Sequence, residues 1–289
     1  MTQTHIIDGK ALAETLRYSL KTRIASLPSP PGLAVLLVGD DPASHVYVKN
    51  KIAACQALGI KSFESRLPQK ATQAEVAAEI KAFNANPAVH GILLQLPVPH
   101  HLDSGALIQM IDPKKDVDGL TLPNIGALVA GLDGLVPCTP QGALLLIQSV
   151  KTDLEGLNAL VIGRSLLFGK PMAQLLLTQN CTVTTAHSRT KNLPDLCAQA
   201  DIVISAIGQP RMVKGAWLKR GAIVIDVGIN RLENGTLCGD VDYNSALGIA
   251  GALTPVPGGV GPMTIACLLQ NTVRAAENLE HAPAHKTDY

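Results

Sequence analysis

Short apolar runs of strand character alternate with amphipathic helical patterns along almost all of this chain. That alternation restricts it to the βαβ class, in which helices cover parallel sheets. In the first half it predicts a helix over residues 10–27, a strand at 33–38, a helix at 44–58 and a strand at 61–66. A helix at 73–84, a strand at 90–96, a turn-rich stretch at 97–101 and a short helix at 104–111 follow, and DPKKDVDGL then reads as a surface loop. The second half begins with PCTPQG and a helix at 143–150, and continues with strands at 159–162, 182–186, 202–206 and 222–227. These strands are nearly continuous in apolar residues, the pattern expected of strands covered on both faces. A short strand at 251–253 and the Gly- and Pro-rich run TPVPGGVGPMT lead into a C-terminal helix. No repeat or low-complexity segment is present in the sequence, which excludes solenoids and coiled coils.

With 289 residues the chain is long enough for two domains at about 100–200 residues each. The expected division is residues 1–140 with the C-terminal helix at about 263–289 as one domain, and 141–262 as the other. The expected fold class is α/β: two parallel-sheet domains, the second of Rossmann type, with a cleft between them. The 24 Lys and Arg balance 23 Asp and Glu, which disfavours a nucleic-acid or anionic-membrane binder. No apolar run approaches the roughly 20 residues needed to cross a bilayer, and MTQTHIIDGK lacks the apolar core of a secretion signal. A cytoplasmic protein is expected. The six cysteines form no C-x-x-C pair and read as reduced, mostly buried thiols. No metal site is expected, because the one suggestive spacing, His281 and His285, lies in a tail unable to fix ligand geometry.

The stretch ALVIGRSLLFGKPMAQLLL runs strand, Gly-containing turn, helix, at the place where a nucleotide-binding βαβ unit would open the second domain. Gly163 suits the tight turn and Gly169 the close packing of helix on strand. The run departs from G-x-G-x-x-G, since Ser165 stands at the second glycine and the last glycine comes one residue late. An ordinary glycine turn is the competing reading. The next strand ends AHSRT, where an NAD enzyme would carry an acid for the ribose hydroxyls. Ser188 and Arg189, with Arg164 in the first turn, instead suit a 2′-phosphate, which favours NADP. Read alone, the two arginines are also compatible, as the less favoured alternative, with solvated surface charges.

In the first half Tyr47 and Lys51 lie four residues apart, on one face of a helix. A ring can stack on a flat heterocycle, and an amine whose proton affinity falls on burial can move protons. An exposed Tyr and Lys on a helix is the plainer alternative. Gln95 is a polar amide inside the apolar run LLQLPVP, at the carboxyl end of a parallel strand, where ligands bind. Asp118, in KKDVDGL, can accept two hydrogen bonds from an amino-heterocycle edge or cap the following turn.

Ten motifs now stand in order: SHVYVKNK, GILLQLPVP, KKDVDGL, PCTPQG, VIGRSLLFGKPM, HSRT, AIGQP, DVGIN, GDVDY and TPVPGGVGPMT. Together they resemble the bifunctional methylenetetrahydrofolate dehydrogenase/methenyltetrahydrofolate cyclohydrolase family, the FolD family, over nearly the whole chain up to Leu279. The resemblance implies that Tyr47 stacks on the folate, that Lys51 is the central proton-transfer residue, that Gln95 bonds and tunes it, and that Asp118 grips the amino edge of the pterin. Ser44 matches a position near the catalytic group. Gly163, Arg164, Ser165, Ser188, Arg189 and Ile229 match the NADP site, and Pro257, Gly258, Gly259 and Gly261 match a loop bordering the folate between the domains.

The implied chemistry is oxidation of 5,10-methylenetetrahydrofolate by NADP to the methenyl cation, then hydrolysis to 10-formyltetrahydrofolate, both in one site. The resemblance further implies one-carbon metabolism that serves purine biosynthesis, tetrahydrofolate derivatives as partners, and a homodimer through the cofactor domain. The run around residues 230–241, with NGTLCGDV, is the expected edge strand of such a dimer. Two rivals are an NADP-dependent dehydrogenase of another small substrate, shikimate-like, and a non-enzymatic NADP-binding scaffold. Neither needs Tyr47, Lys51, Gln95 and Asp118 together.

Overall fold

The structure, a computed structural model, describes residues 3–280. In chain order the elements are β1 (His5–Ile6), α1 (Gly9–Ala25), β2 (Gly32–Val38), α2 (Pro42–Leu58), β3 (Lys61–Leu67), α3 (Gln73–Ala85), β4 (Gly91–Leu94), α4 (Ser104–Ile108), α5 (Leu122–Ala130) and α6 (Cys138–Val150). They continue with β5 (Asn158–Ile162), α7 (Gly169–Thr178), β6 (Thr182–Ala186), α8 (Leu193–Gln199), β7 (Ile202–Ser205), β8 (Ile223–Asp226), β9 (Asn230–Arg231), β10 (Leu237–Cys238), α9 (Tyr243–Ala246), β11 (Ala252–Leu253) and α10 (Val260–Glu280).

The chain divides into two compact units. One holds the described residues up to Leu16, with Leu128–Leu132 and Pro137–Cys267; the other holds Arg17–Ala127, Asp133–Val136 and the chain from Leu268 onward. Three of the divisions fall inside α1, α5 and α10, and the other two in the segment between α5 and α6. The expected boundaries at 140/141 and 262/263 therefore differ from this partition chiefly in the N-terminal segment. The reason is β1, which pairs in parallel with β11, His5 against Ala252 and Ile6 against Leu253.

In the unit containing α2, three parallel strands run in the order β3-β2-β4. The central strand β2, GLAVLLV, is buried at all seven positions, whereas edge strand β3, KSFESRL, alternates between exposed and half-buried residues. Burial on both faces demands a continuous apolar run, and an edge does not. Leu36, Ile80, Ile92 and Leu107 are fully buried in one cluster, each worth about 1.5–3 kcal/mol in area removed from water. The helices close in the expected way. Asp41 caps α2 by accepting from Ser44 N at 2.8 Å, and Gly59 ends it in the left-handed conformation at φ 75°. Thr72 and Glu75 form a reciprocal capping box at the start of α3.

The other unit carries a six-stranded sheet in the order β1-β11-β8-β7-β5-β6, every pairing parallel. Strand order reverses at β5: β6 lies on one side and β7 on the other, a topological switch point. Strand β6, TVTTA, departs from the expectation of a strand covered on both faces, because it is the sheet's edge and three of its five residues are exposed. The threonines suit that half-solvated pleat.

Three further differences have local causes. The expected edge strand at 230–241 is a hairpin of two short strands, β9 and β10, because Gly235 turns the chain at φ 81° and Asn234 Oδ1 accepts from Thr236 N at 3.1 Å. Periodicity singles out neither α5 nor α8, which are short and carry Gly126 and Pro194. The C-terminal helix starts at Val260, and residues 281–289, including His281 and His285, lie outside the described residues.

None of the six cysteines is in a disulfide; five are buried and Cys238 is half-buried. Among the described residues no helix is long and apolar enough to cross a membrane.

The burial pattern gives an expected ranking of stability losses. Leu36→Ala should cost about 2–5 kcal/mol by opening a cavity in a fully buried strand, against about 1 kcal/mol for removing the Thr72 cap with Thr72→Ala. Urea unfolding followed by circular dichroism measures both, and equal midpoints for the two variants would contradict the packing described.

Candidate active site and cofactor site

Helix α2 begins directly after the central strand, so its first turns stand over the carboxyl end of the sheet β3-β2-β4. Ser44, Val48, Lys51 and Cys55 recur at helical spacing and all are buried. Tyr47, at the rim of that face, is 40% exposed. Ser44 is fixed twice by Asp41, whose carboxylate accepts from both its N–H and its hydroxyl, the latter at 2.7 Å. The Lys51 ammonium is nine-tenths buried and donates from Nζ to Gln95 Oε1 at 2.9 Å.

Gln95 is the first residue beyond β4, and its backbone N–H bonds Leu36 O of the adjacent strand at 2.9 Å. Its Nε2 donates to Leu96 O at 2.6 Å, which orients the amide and turns Oε1 toward the lysine. The acceptor is neutral, so it can hold the amine both before and after a proton has left. Cys55, one turn further along α2, is pushed up to about 11 by burial, with Lys51 opposing the shift, so it stays a thiol at neutral pH and offers no competing nucleophile.

Asp118 reaches the same end of the sheet by another route. Residues 115–117 run beside β4: Ile92 and Asp116 form a parallel bridge, and Ile92 N donates to Lys115 O at 2.7 Å. Because the two segments run in the same direction, Asp118, two residues past Asp116, and Gln95, three past Ile92, leave the sheet at one edge. Ser44, Tyr47, Lys51, Gln95 and Asp118 thus belong to one unit and to one edge of its sheet.

The remaining candidates belong to the other unit and sit on loops at the carboxyl ends of its strands. Gly163 follows β5 with φ 129°, where a Cβ would come within 2.7 Å of Ala206 O. A Cβ on Gly169 would fall 2.1 Å from Gly163 O, so the turn and the start of α7 close on each other only with glycine at 169. Ser165 organises the turn between them, its hydroxyl accepting from Phe168 N at 3.2 Å and its carbonyl from Lys170 N at 3.0 Å.

Beyond β6 a tight turn runs from His187 to Thr190. His187 N donates to Thr190 Oγ1 at 2.9 Å, and Thr190 N donates to His187 O at 2.8 Å. Arg189 N donates to His187 Nδ1 at 3.1 Å, which projects Ser188 and Arg189 outward. Arg164, Ser165, Ser188 and Arg189 are all exposed, and among the described residues neither arginine is in an ion pair. Ile229, just beyond β8, is 51% exposed. Pro257, Gly258 and Gly259 follow β11 and lead into α10, whose first turn holds Gly261.

Sequence reasoning did not single out the carboxylates that hold these loops. Asp240 is fully buried and accepts from Ile207 N, Gly208 N and Gln209 N at 2.8, 3.2 and 2.9 Å, and from Asn230 Nδ2 at 2.9 Å. Asp226 accepts from Gly228 N at 3.0 Å, Asp240 N at 2.9 Å and Val241 N at 2.8 Å. Burial nevertheless raises its carboxyl to about 6, outweighing the three N–H donors, and nearby Asp240 pushes in the same direction. The available signal was the recurrence of Asp in DVGIN and GDVDY, which brings the two acids together only once the hairpin folds back.

Comparison with known proteins agrees with this architecture. Residues 7–118 match the tetrahydrofolate dehydrogenase/cyclohydrolase catalytic domain, and residues 137–280 match the NAD(P)-binding domain of the same family. The chain is 60% identical over 281 residues to the bifunctional protein FolD of Sphingopyxis alaskensis, covering 94% of this chain and 93% of that protein. Its structure is similar to that of the Campylobacter jejuni bifunctional enzyme FolD, with TM-score 0.93 at 45% identity, covering 96% of this chain and 99% of the other. It also resembles the Trypanosoma brucei methylenetetrahydrofolate dehydrogenase-cyclohydrolase complexed with NADP cofactor and inhibitor, with TM-score 0.92, 36% identity and coverage of 98% and 100%. With a family match across both units and relatives this similar over almost their whole length, the chain belongs to the tetrahydrofolate dehydrogenase/cyclohydrolase family.

Proposed function

We propose that Lys51, Gln95, Tyr47 and Asp118 serve both reactions of this family in one site. The reactions are the NADP-dependent oxidation of 5,10-methylenetetrahydrofolate to 5,10-methenyltetrahydrofolate and its hydrolysis to 10-formyltetrahydrofolate. The observation that carries the assignment is the buried bond from Lys51 Nζ to Gln95 Oε1. A lysine amine at the carboxyl edge of a parallel sheet, held by a neutral acceptor, is placed to exchange protons with a ligand there.

Tyr47 presents a ring at the rim of the same helix face, suited to stack on the flat pterin, and Asp118 offers two acceptor oxygens to its amino edge. These contacts hold the bridging carbon in a near-attack geometry for hydride loss. Ser44, pinned by Asp41, adds a fixed hydroxyl at the first turn of α2. The methenyl product is a cation open to attack by water. Lys51 then takes a proton from the attacking water and returns one to the departing nitrogen as the C–N bond breaks, while the remaining hydroxyl proton leaves to solvent as the formyl C=O forms.

When bound, NADP supplies the hydride acceptor. The chain's part is to hold its phosphates and ribose. Gly163 and Ser165 shape the turn at the switch point, and Arg164, Ser188 and Arg189 supply exposed cationic and hydroxyl groups for a 2′-phosphate. Ile229 offers an exposed apolar surface to the cofactor, and the family resemblance assigns residues 257–261 to substrate binding. In the same reading the folate domain comprises residues 1–140 with the C-terminal helix, apart from the N-terminal segment whose β1 joins the other sheet, and the cofactor domain residues 141–262. The enzyme is assigned to the cytoplasm, and its formyl product to purine biosynthesis. The exposed hairpin β9-β10 supports a homodimer paired through the cofactor domain, since its short strands leave backbone groups for a partner.

Three measurements test this reading. Lys51→Met is expected to abolish loss of the methenyl compound in an absorbance assay while NADP still binds in direct titration; undiminished turnover would remove Lys51 from the mechanism. Arg189→Ala should weaken NADP binding by about 1–3 kcal/mol and leave NAD nearly unaffected, and equal losses for both cofactors would contradict a 2′-phosphate contact. Size-exclusion chromatography with light scattering should give a dimer at micromolar concentration, and a monomer alone would count against pairing through the hairpin.

A further inference from the structure

Buried polar side chains gather around one loop, the one that carries Asp118. Lys115, Asp116, Thr121, Asn124 and Asn271 are all more than nine-tenths buried. Lys115 spends its ammonium on the end of α3, donating to Asn84 O at 2.8 Å and Asn86 O at 2.9 Å. Asp116 Oδ2 accepts from Thr121 N at 2.7 Å and from Asn124 Nδ2 at 2.9 Å, closing the loop from its far side. Asn271, on α10, donates from Nδ2 to Val117 O at 2.9 Å and to Val136 O at 2.8 Å. A turn bond from Gly119 N to Asp116 O at 3.0 Å brackets Asp118 itself.

The arrangement is costly. Two adjacent opposite charges are buried, yet among the described residues they form no ion pair with each other, and backbone dipoles meet each of them instead. Burial accordingly pulls the Lys115 amine below its ordinary value. Buried charges are a poor source of net stability, because their desolvation offsets much of what their hydrogen bonds contribute. What polar groups supply is direction: Asp116 fixes Thr121 N and Asn271 fixes Val117 O, one backbone atom on each side of Asp118. The same loop pairs with β4, whose end carries Gln95, so an error in its path would displace Asp118 relative to the Lys51–Gln95 pair.

We propose that Asp116 and Asn271 are positioning residues for folate recognition, holding the backbone on either side of Asp118 so that its carboxylate meets the amino edge of the pterin. The proposal rests on the reading of Asp118 given above. Neither residue need touch the substrate. Asp116 acts through Thr121 and Asn124, and Asn271 through the carbonyl of Val117.

The test is steady-state dehydrogenase kinetics on the full-length enzyme, with KM for 5,10-methylenetetrahydrofolate and for NADP measured separately. The variants are Asp118→Ala, Asp116→Ala, Asp116→Asn and Asn271→Leu, together with Asp116→Ala and Asn271→Leu each combined with Asp118→Ala. Asp116→Ala and Asn271→Leu should each raise the folate KM about tenfold while the NADP KM stays within about twofold. Asp116→Asn keeps an acceptor oxygen and should recover most of the loss. In the doubles neither substitution should raise the folate KM beyond that of Asp118→Ala, because the group they position has gone.

Should Asp116→Ala not fold, Asn271→Leu gives the same comparison with both loop charges in place. If Asp118→Ala raises the folate KM but the other two lower only kcat or Tm, or multiply its effect in the doubles, Asp116 and Asn271 are structural and the proposal fails while Asp118 keeps its role. If Asp118→Ala leaves the folate KM unchanged, both the proposal and the reading beneath it fall.

Discussion

The hydrogen bond from Lys51 to Gln95 joins two residues 44 positions apart, and much of the surrounding unit is arranged so that it can form. It requires β2 and β4 to be neighbours in register, which places Gln95 N on Leu36 O. It requires α2 to start directly above that sheet edge, which the Asp41 cap secures. The apolar run of β2 supplies the driving force, since a strand buried at every position can lie only at the centre of a covered sheet. A single buried amine therefore depends on the packing of the whole three-stranded sheet.

In the cofactor unit the comparable part is played by buried carboxylates. Asp240 gathers three consecutive backbone N–H groups beyond β7, and Asp226 gathers three more around the return of the β9-β10 hairpin. Loops at the carboxyl ends of parallel strands have no ladder of their own to hold them. An acid accepting several N–H bonds substitutes for one, at a desolvation cost visible in the raised Asp226 carboxyl. The same device recurs in the folate unit at Asp116, with opposite polarity at Lys115 and Asn271. In both units, then, buried polar residues maintain the geometry of strand-end loops on which exposed groups can meet ligands.

Much of this was legible in advance. The strands β2, β3, β5, β7 and β8 and the helices α1, α2 and α3 announce themselves by period and by run length, within a few residues at their ends, as does the start of α10. Gln95 was conspicuous because a polar amide interrupts an apolar strand, and the Gly163 turn because glycine sits where strand passes to helix. Strand β6 was misjudged as doubly covered because its β-branched threonines suit an edge as readily as an interior. The pairing of β1 with β11 could not be anticipated from two residues whose partner lies some 250 positions away.

By itself the sequence determined the alternation of strands and helices, the residue types available for proton transfer and phosphate binding, and the family to which their order belongs. Those are local properties, set by periodicity, glycine placement and the chemistry of single side chains. Only the tertiary structure decided which polar side chains are buried and which backbone they hold: Asn271 on Val117, Asp240 on residues 207–209, Lys115 on the end of α3. These bonds span from about 30 to about 150 positions in sequence, and strand order and helix docking bring their ends together. A buried charge is tolerable only where such partners converge, so its role emerges from the packed structure and not from the run of residues around it.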